Sequence, residues 1–596
     1  MSDKWCLKDI YAGFESDEFK ADFTSIPSMV EKLNLLSYEL STFENVVELV
    51  RLLEEYSTKN DRLGSYAHFV YATDTANTDA TKFIYLLDAI GAETSRTKVR
   101  LASFLSKIEE TGGNIAQLAK QHNLEEYTYQ MQHMAKEYYH MMSEDEETLS
   151  AQMSNTGSSA WGMLQDKLIS MLSCEYADPK DGGKIRTIGI NECRNLAYDA
   201  DSQVRKAAYE AELAAYPKIE ESCAAAMNSI KGEVNLLCSL RKFNHPIDRT
   251  LFDSSMTRKT LDAMFQAIDA NIQCFRDYMK AKARYLNPSA NGLPFYDMFA
   301  PVGQTNAKTF TYEEAKTFTL ENFGRFSSEM EKVARMAFEN NWIDVSPREG
   351  KVSGAFCGDI YAVKQFRIVL NYGGNLSDII TLAHELGHGY HSMQVMEEGI
   401  LNTHYPMPLA ETASTFCEMI VTNAALQTLP NNEKLQLIEN SLQDATQVIL
   451  DIYSRYLFEK GVFEARQDHP LSVQELNELM LNAQRTAYGD GLDPEKMHPY
   501  MWVIKPHYYS GTFSFYNFPY AFGNLLANGL YKIYDADPSI FGEKYNNFLR
   551  ASGKMSVEES CKMLGIDVQS ADFWESALDV IKSQIDQFKK LTSEVL

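Results

Sequence analysis

The 596-residue chain carries 82 acidic against 56 basic side chains, a formal charge of −26, with 45% hydrophobic and 23% charged residues. That length exceeds one ordinary core and predicts at least two domains or one large cleft enzyme, and the globular composition excludes general disorder. The acid excess, with no local basic patch to reverse it, argues against nucleic acid or an anionic membrane surface as a partner.

The N-terminal MSDKWCLKDIYAGFESDEF mixes charges and has no apolar core of a secretory signal, and no run of about 18 uncharged apolar residues occurs anywhere. Nine cysteines, with no C-x-x-C pair among them, read as free thiols in a reducing compartment. A cytoplasmic protein is expected.

Between Pro27 and Pro179 about 150 residues run without proline, the residue most hostile to helices. Segments such as EKLNLLSYELSTFENVVELVRLLEEY place apolar residues three and four apart, which predicts long amphipathic helices. Breaks are predicted at Thr111-Gly112-Gly113, at residues 154–159, and more sharply at 178–184, where Pro179, Gly182 and Gly183 supply turn chemistry. A boundary there divides an N-terminal helical domain, 1–180, from a catalytic domain, 181–596. Helical periodicity resumes over 190–285. The one strand expected is 360–372, with Phe366, Ile368 and Leu370 alternating with Arg367, Val369 and Asn371. It feeds a helix starting near Ser377 or Asp378, so the fold class is mainly α with a small sheet.

On that helix stands His384-Glu385-Leu386-Gly387-His388. At 3.6 residues per turn the two histidines share one face and can bind one metal ion, while Glu385, rotated about 100°, sits where a base for an activated water belongs. The alternative is a surface helix with two solvated histidines. His391 lies roughly 10 Å along the axis from His384, too far to share one ion. It is expected to support the site or pack. The metzincin pattern is excluded because positions 391 and 394 are His and Gln. Glu397 and Glu398 look like the end of the same helix. The next acid, Glu411, opens a helical stretch after Pro408 and is the expected third ligand, with Glu418 placed to orient an imidazole. Further on, residues 505–523 are rich in aromatics, most of which pack a core. His507, Tyr516 and Tyr520 are candidate hydrogen-bond donors to an oxyanion.

Taken together, HELGH, the following ETASTF-x-E and the FYNFPY-x-FG run after His507 resemble oligoendopeptidase F, in the zinc metallopeptidase family that includes thimet oligopeptidase and neurolysin. GAFCGDI, residues 354–360, and RYLFEKGVFEAR, 455–466, fit the bacterial branch. The resemblance implies two helical lobes around a deep substrate channel, with one zinc ion per chain held by His384, His388 and Glu411. It also implies Glu385 as catalytic base, His507 and a downstream tyrosine as oxyanion donors, and short peptides as substrates. Phe518 stands where many relatives carry a third tyrosine, which leaves both Tyr516 and Tyr520 as candidates. An extended peptide is expected to pair with the 360–372 strand. Competing readings are a carboxypeptidase or dipeptidyl carboxypeptidase, and a non-catalytic peptide-binding protein.

Overall fold

The structure is a computed structural model and describes residues 3–303 and 309–594. The chain is mainly α-helical, with one two-stranded and one three-stranded sheet among the described residues. It forms two compact units, each assembled from three separate stretches: Met1–Met141, Ala307–Ala425 and Ile533–Ile566 in the first, and Met142–Asn306, Leu426–Lys532 and Asp567–Leu596 in the second.

In the first unit the expected N-terminal helices are present, but the periodic run beginning at Glu31 is cut in two. One helix, Asp17–Tyr38, is capped by Ser16 accepting from Phe19 N at 3.3 Å and tolerates Pro27 inside it. The next, Phe43–Thr73, starts at a reciprocal Thr42–Asn45 cap. Capping satisfies N–H groups that have no intrahelical partner, which makes Thr42 a start signal strong enough to interrupt the apolar periodicity. Their apolar faces supply a core of Phe19, Ile26, Leu33, Val46, Leu49 and Leu63, which Ile360 and Val369 of the sheet join. The break at 111–113 holds too, with Gly112 at φ +83°.

After the hairpin strands β1 (Ser173–Asp178) and β2 (Lys184–Gly189) of the second unit, the chain supplies that sheet with β3 (Ile343–Asp344), β4 (Phe356–Ile360) and β5 (Gln365–Val369), in the order β3-β5-β4. β5 runs parallel to β3 and antiparallel to β4, with Cys357 opposite Ile368 and Asp359 opposite Phe366. The expected 360–372 strand is therefore corrected to 365–369. It is the central strand, and both its faces are buried. Arg367, which alternation places outward, is fully buried because its guanidinium meets Asp9 Oδ1 at 2.7 Å and the Cys6 carbonyl at 2.8 Å.

The helix Leu376–Val395 begins one residue before the expected start, at an Asn375 cap whose Oδ1 accepts from Asp378 N at 3.0 Å. It ends at Val395, ahead of Glu397 and Glu398, which lie outside it. Two glycines let neighbours close on it. A Cβ on Gly387 would come within 2.7 Å of Ala413 O and Ser414 Cα, and one on Gly389 within 2.5 Å of the Phe366 ring.

In the second unit the turn at 178–184 is the tip of a hairpin between β1 (Ser173–Asp178) and β2 (Lys184–Gly189), with Asp178 paired to Lys184. The compact units do not divide at 180. A cut there would open this hairpin, and the division falls at 141 instead. Long helices, including Glu220–Leu240, Arg258–Leu286 and Ile452–Ala465, make up most of the remainder.

Candidate metal centre

His384 and His388 come from one face of the Leu376–Val395 helix, and their Nε2 atoms lie 3.1 Å apart. Glu411 sits at the joint between the short helix Met407–Ala410 and the helix Thr412–Thr428, slightly ahead of the long helix expected to carry it. Its Oε2 lies 3.4 Å from each imidazole Nε2. The close approach at Gly387 explains this placement. Without a side chain at 387, the backbone at Ala413 and Ser414 packs directly on the histidine helix and brings Glu411 over its two ligands.

These distances fit a zinc ion. Tetrahedral ligands at about 2.05 Å stand roughly 3.3 Å from one another, and the three donor pairs here are 3.1, 3.4 and 3.4 Å apart. Two imidazoles and a carboxylate also leave a fourth position for water or substrate, the donor set of a catalytic site and not of a closed structural one. Among the described residues no other group of His, Cys, Asp or Glu is placed to hold a metal.

Supporting contacts orient the donors. His384 Nδ1 hydrogen-bonds the Glu418 carboxylate, which leaves Nε2 as the lone-pair nitrogen facing Glu411. Ser414 Oγ donates to Glu411 Oε2 at 2.9 Å. The serine was not anticipated, although its place three residues after Glu411 put the two on one helical face. Burial disfavours a charged His384, but the hydrogen bond and charge of Glu418 outweigh it and raise the metal-free imidazole to about 9, so that a metal ion at Nε2 takes the place of a proton. Burial also pushes Glu411 up, and the hydrogen bond from His388 and the charges of both histidines overcome this, holding its carboxyl down to about 2.

Glu385 is buried, at 5% exposure, and its Oε2 has no hydrogen-bond partner. Burial pushes its carboxyl above the ordinary range, against the pull of His384 and His388. It lines a cavity of about 400 Å³ together with the two histidines and with Phe356, Cys357 and Asp359 of β4. An unpaired buried carboxylate beside a metal site is a proton acceptor waiting for a partner, since such an atom is costly unless something fills it. β4, an edge strand of the sheet, thus forms a wall of this cavity, whereas β5 is already paired on both sides. His391 packs away from the metal donors: its ring stacks on Tyr405 at 4.1 Å and its Nε2 meets Ser552 Oγ at 2.9 Å.

His507, Tyr516 and Tyr520 belong to the second unit, where the structure does bring the three together. The His507 and Tyr516 rings lie 6.4 Å apart in a stacked arrangement, and the Tyr516 and Tyr520 hydroxyls are 3.0 Å apart. Burial, then the charges of Arg455, Lys505 and Lys231, push the His507 imidazole down to about 3, so it is neutral near pH 7. Its Nε2 is buried with no hydrogen-bond partner.

The profile of Peptidase family M3 matches residues 195–580, and that of Oligopeptidase F matches 112–173. Oligopeptidase PepF of Bacillus subtilis (strain 168) is 23% identical, over 100% of this chain and 88% of its own length. An Oligoendopeptidase F homolog of Lactococcus lactis subsp. lactis (strain IL1403) is 24% identical, over 99% of this chain and 97% of its own. In fold, the chain is similar to a solved Chlamydophila abortus structure, with a TM-score of 0.85 at 21% identity over 99% of each chain. It is also similar to oligoendopeptidase-F from Enterococcus faecium, with a TM-score of 0.70 at 18% identity over 97% of this chain and 99% of that one.

Proposed function

The chain belongs to peptidase family M3, so it is a peptidase acting on oligopeptides, and we propose that it works as a zinc-dependent endopeptidase cutting internal bonds of short unfolded peptides. The observation that carries this reading is the convergence of His384, His388 and Glu411 donor atoms beside the unpartnered Glu385 carboxylate. Bound by those three donors, zinc would supply Lewis-acid polarisation of the scissile carbonyl and a lowered pKa for water.

The protein's own groups carry the rest. Glu385 Oε2 accepts a proton from the attacking water and returns it to the leaving amine. Glu418 keeps the His384 proton on Nδ1, and Ser414 holds the Glu411 oxygen in register. The peptide backbone adds to β4, an outer strand of the sheet whose residues line the cavity, and not to the interior strand β5. Main-chain pairing gives affinity without demanding particular side chains. His507, Tyr516 and Tyr520 are assigned as donors to the developing oxyanion, a role supported by the family resemblance and by their clustering. The restriction to short peptides rests on the family. A reducing, cytoplasmic setting is supported by nine free cysteines, and no described helix is long and apolar enough to cross a membrane.

The test is cleavage of a ten-residue peptide acetylated at its N-terminus and amidated at its C-terminus, read by mass spectrometry. Internal cuts are expected, since an endopeptidase needs neither free end. Cleavage of the uncapped peptide alone, with single residues or dipeptides leaving its C-terminus, would establish the carboxypeptidase reading instead.

A further inference from the structure

We infer that Glu459, charge-balanced by Lys231, is a positioning residue for Tyr516 and acts through the backbone of Phe515. The inference rests on the oxyanion role proposed for the tyrosines.

Phe515 has φ +52°, in the left-handed region that a bulky aromatic residue rarely occupies. A backbone held there against its preference needs its surroundings to fix it, and four contacts do so. The ring is buried between Tyr456, at 5.3 Å, and Phe463, at 5.6 Å. The Ser514 carbonyl accepts from Thr250 Oγ1 at 3.0 Å. The Phe515 N–H donates to Glu459 Oε2 at 3.0 Å, inside the protein.

Glu459 comes from the helix Ile452–Ala465, and its other oxygen accepts from Lys231 Nζ at 2.7 Å. Lys231 is fully buried and its ammonium also lies 4.6 Å above the Phe463 ring. A buried ion pair like this one is a poor stabiliser, because removing both charges from water costs about as much as their attraction returns, and a well-packed apolar pair does as well or better. The pair does present a salt-bridged carboxylate oxygen to the Phe515 N–H inside the protein, and such an acceptor binds a backbone N–H more strongly than a neutral one. The N–H it binds belongs to the residue directly before Tyr516, whose hydroxyl stands 3.0 Å from that of Tyr520 and whose ring stacks on His507. Lys231 and Glu459 therefore lock the one strained residue in the loop, and the lock sets where Tyr516 leaves the core.

Two double variants of equal charge separate positioning from stability. K231M/E459L replaces the pair with apolar side chains of similar size and leaves Phe515 N–H without an acceptor, whereas K231M/E459Q keeps a neutral oxygen for it. With an internally quenched decapeptide, the Gln variant is expected to exceed the Leu variant at least tenfold in kcat, with KM within about threefold, since a misplacement near 1 Å costs on this scale. Zinc content and Tm should match between them. Introduced into a Y516F/Y520F background, the same pair of changes should give equal kcat. Equal kcat in the two variants, with the tyrosines intact, would overturn the inference and leave the peptidase reading untouched. A kcat unchanged by Y516F/Y520F alone would overturn the tyrosine role on which the inference rests.

Discussion

Replacing Gly387 by Ala should cost zinc affinity more than any other single methyl group added near the site. The new Cβ would lie 2.7 Å from Ala413 O and from Ser414 Cα, and 3.0 Å from Ala413 C, all backbone atoms with no rotamer to turn aside. Ordinary contact begins near 3.4 Å, so the Thr412–Thr428 helix must retreat by about 0.7 Å or the histidine helix must tilt by as much. Ligand distances at a metal site tolerate only about 0.2 Å, and Glu411 is joined directly to the residue that moves. The expected loss is about 10–100-fold in zinc affinity, the range seen when groups supporting the ligands are disturbed, with about 1–3 kcal/mol of stability lost through overpacking. Competition against a chromophoric chelator reads the affinity, and thermal melts of the metal-free protein read the stability. Gly64, which has open space where its Cβ would go, is the control: G64A should leave zinc binding unchanged and stabilise its helix by up to about 1 kcal/mol. If G387A binds zinc within twofold of the parent, the close contact does not set the position of Glu411.

Removing the carboxylate behind His384, in E418A, should lower zinc affinity about 10–100-fold while leaving the fold intact, and isothermal titration checks both affinity and stoichiometry. Replacing the half-exposed Asp9 by Ala removes the charge partner of the buried Arg367 guanidinium but leaves its hydrogen bonds to the Cys6 and Phe366 carbonyls and to Gln365 Oε1, and should destabilise the protein by about 1–3 kcal/mol, read by urea unfolding; an unchanged stability would show that those oxygens satisfy the arginine without the carboxylate. Burial pushes His391 down to about 3, so the folded protein holds it neutral while the unfolded chain protonates near pH 6.5. Stability from this residue is present above pH 6.5 and is lost as pH falls toward 3, because the unfolded state then binds more protons. The Tm of metal-free H391Q should accordingly fall less between pH 7.5 and 5.5 than that of the parent, and an equal fall would remove His391 as a source of acid sensitivity.

Much of the metal centre was legible in the sequence because its spacing is local. The i, i+4 histidines need only a helix, and Asn375 with Asp378 signals where that helix begins. Glu411 was legible by its distance along the chain, but its seat between two helices was not, since that depends on Gly387 packing against a segment 26 residues away. β4 was hidden for a different reason. Its five residues lack an alternating pattern because one side faces the metal cavity and the other the N-terminal helices, so strand propensity gathered on β5 alone. The hairpin at 173–189 read as a boundary because its Pro and Gly residues punctuate a turn and a linker equally well. Least visible were the two units, each drawn from three distant stretches, and the Lys231–Glu459 pair, whose members stand 228 residues apart.

The central claim is that Glu385 moves the proton at a zinc site built from His384, His388 and Glu411. It is tested most directly by the turnover of E385Q, measured per bound zinc, on an internally quenched peptide. One zinc per chain with kcat lower by about 10²–10⁴-fold is the expected result. Turnover within tenfold of the parent at full zinc occupancy would contradict the account.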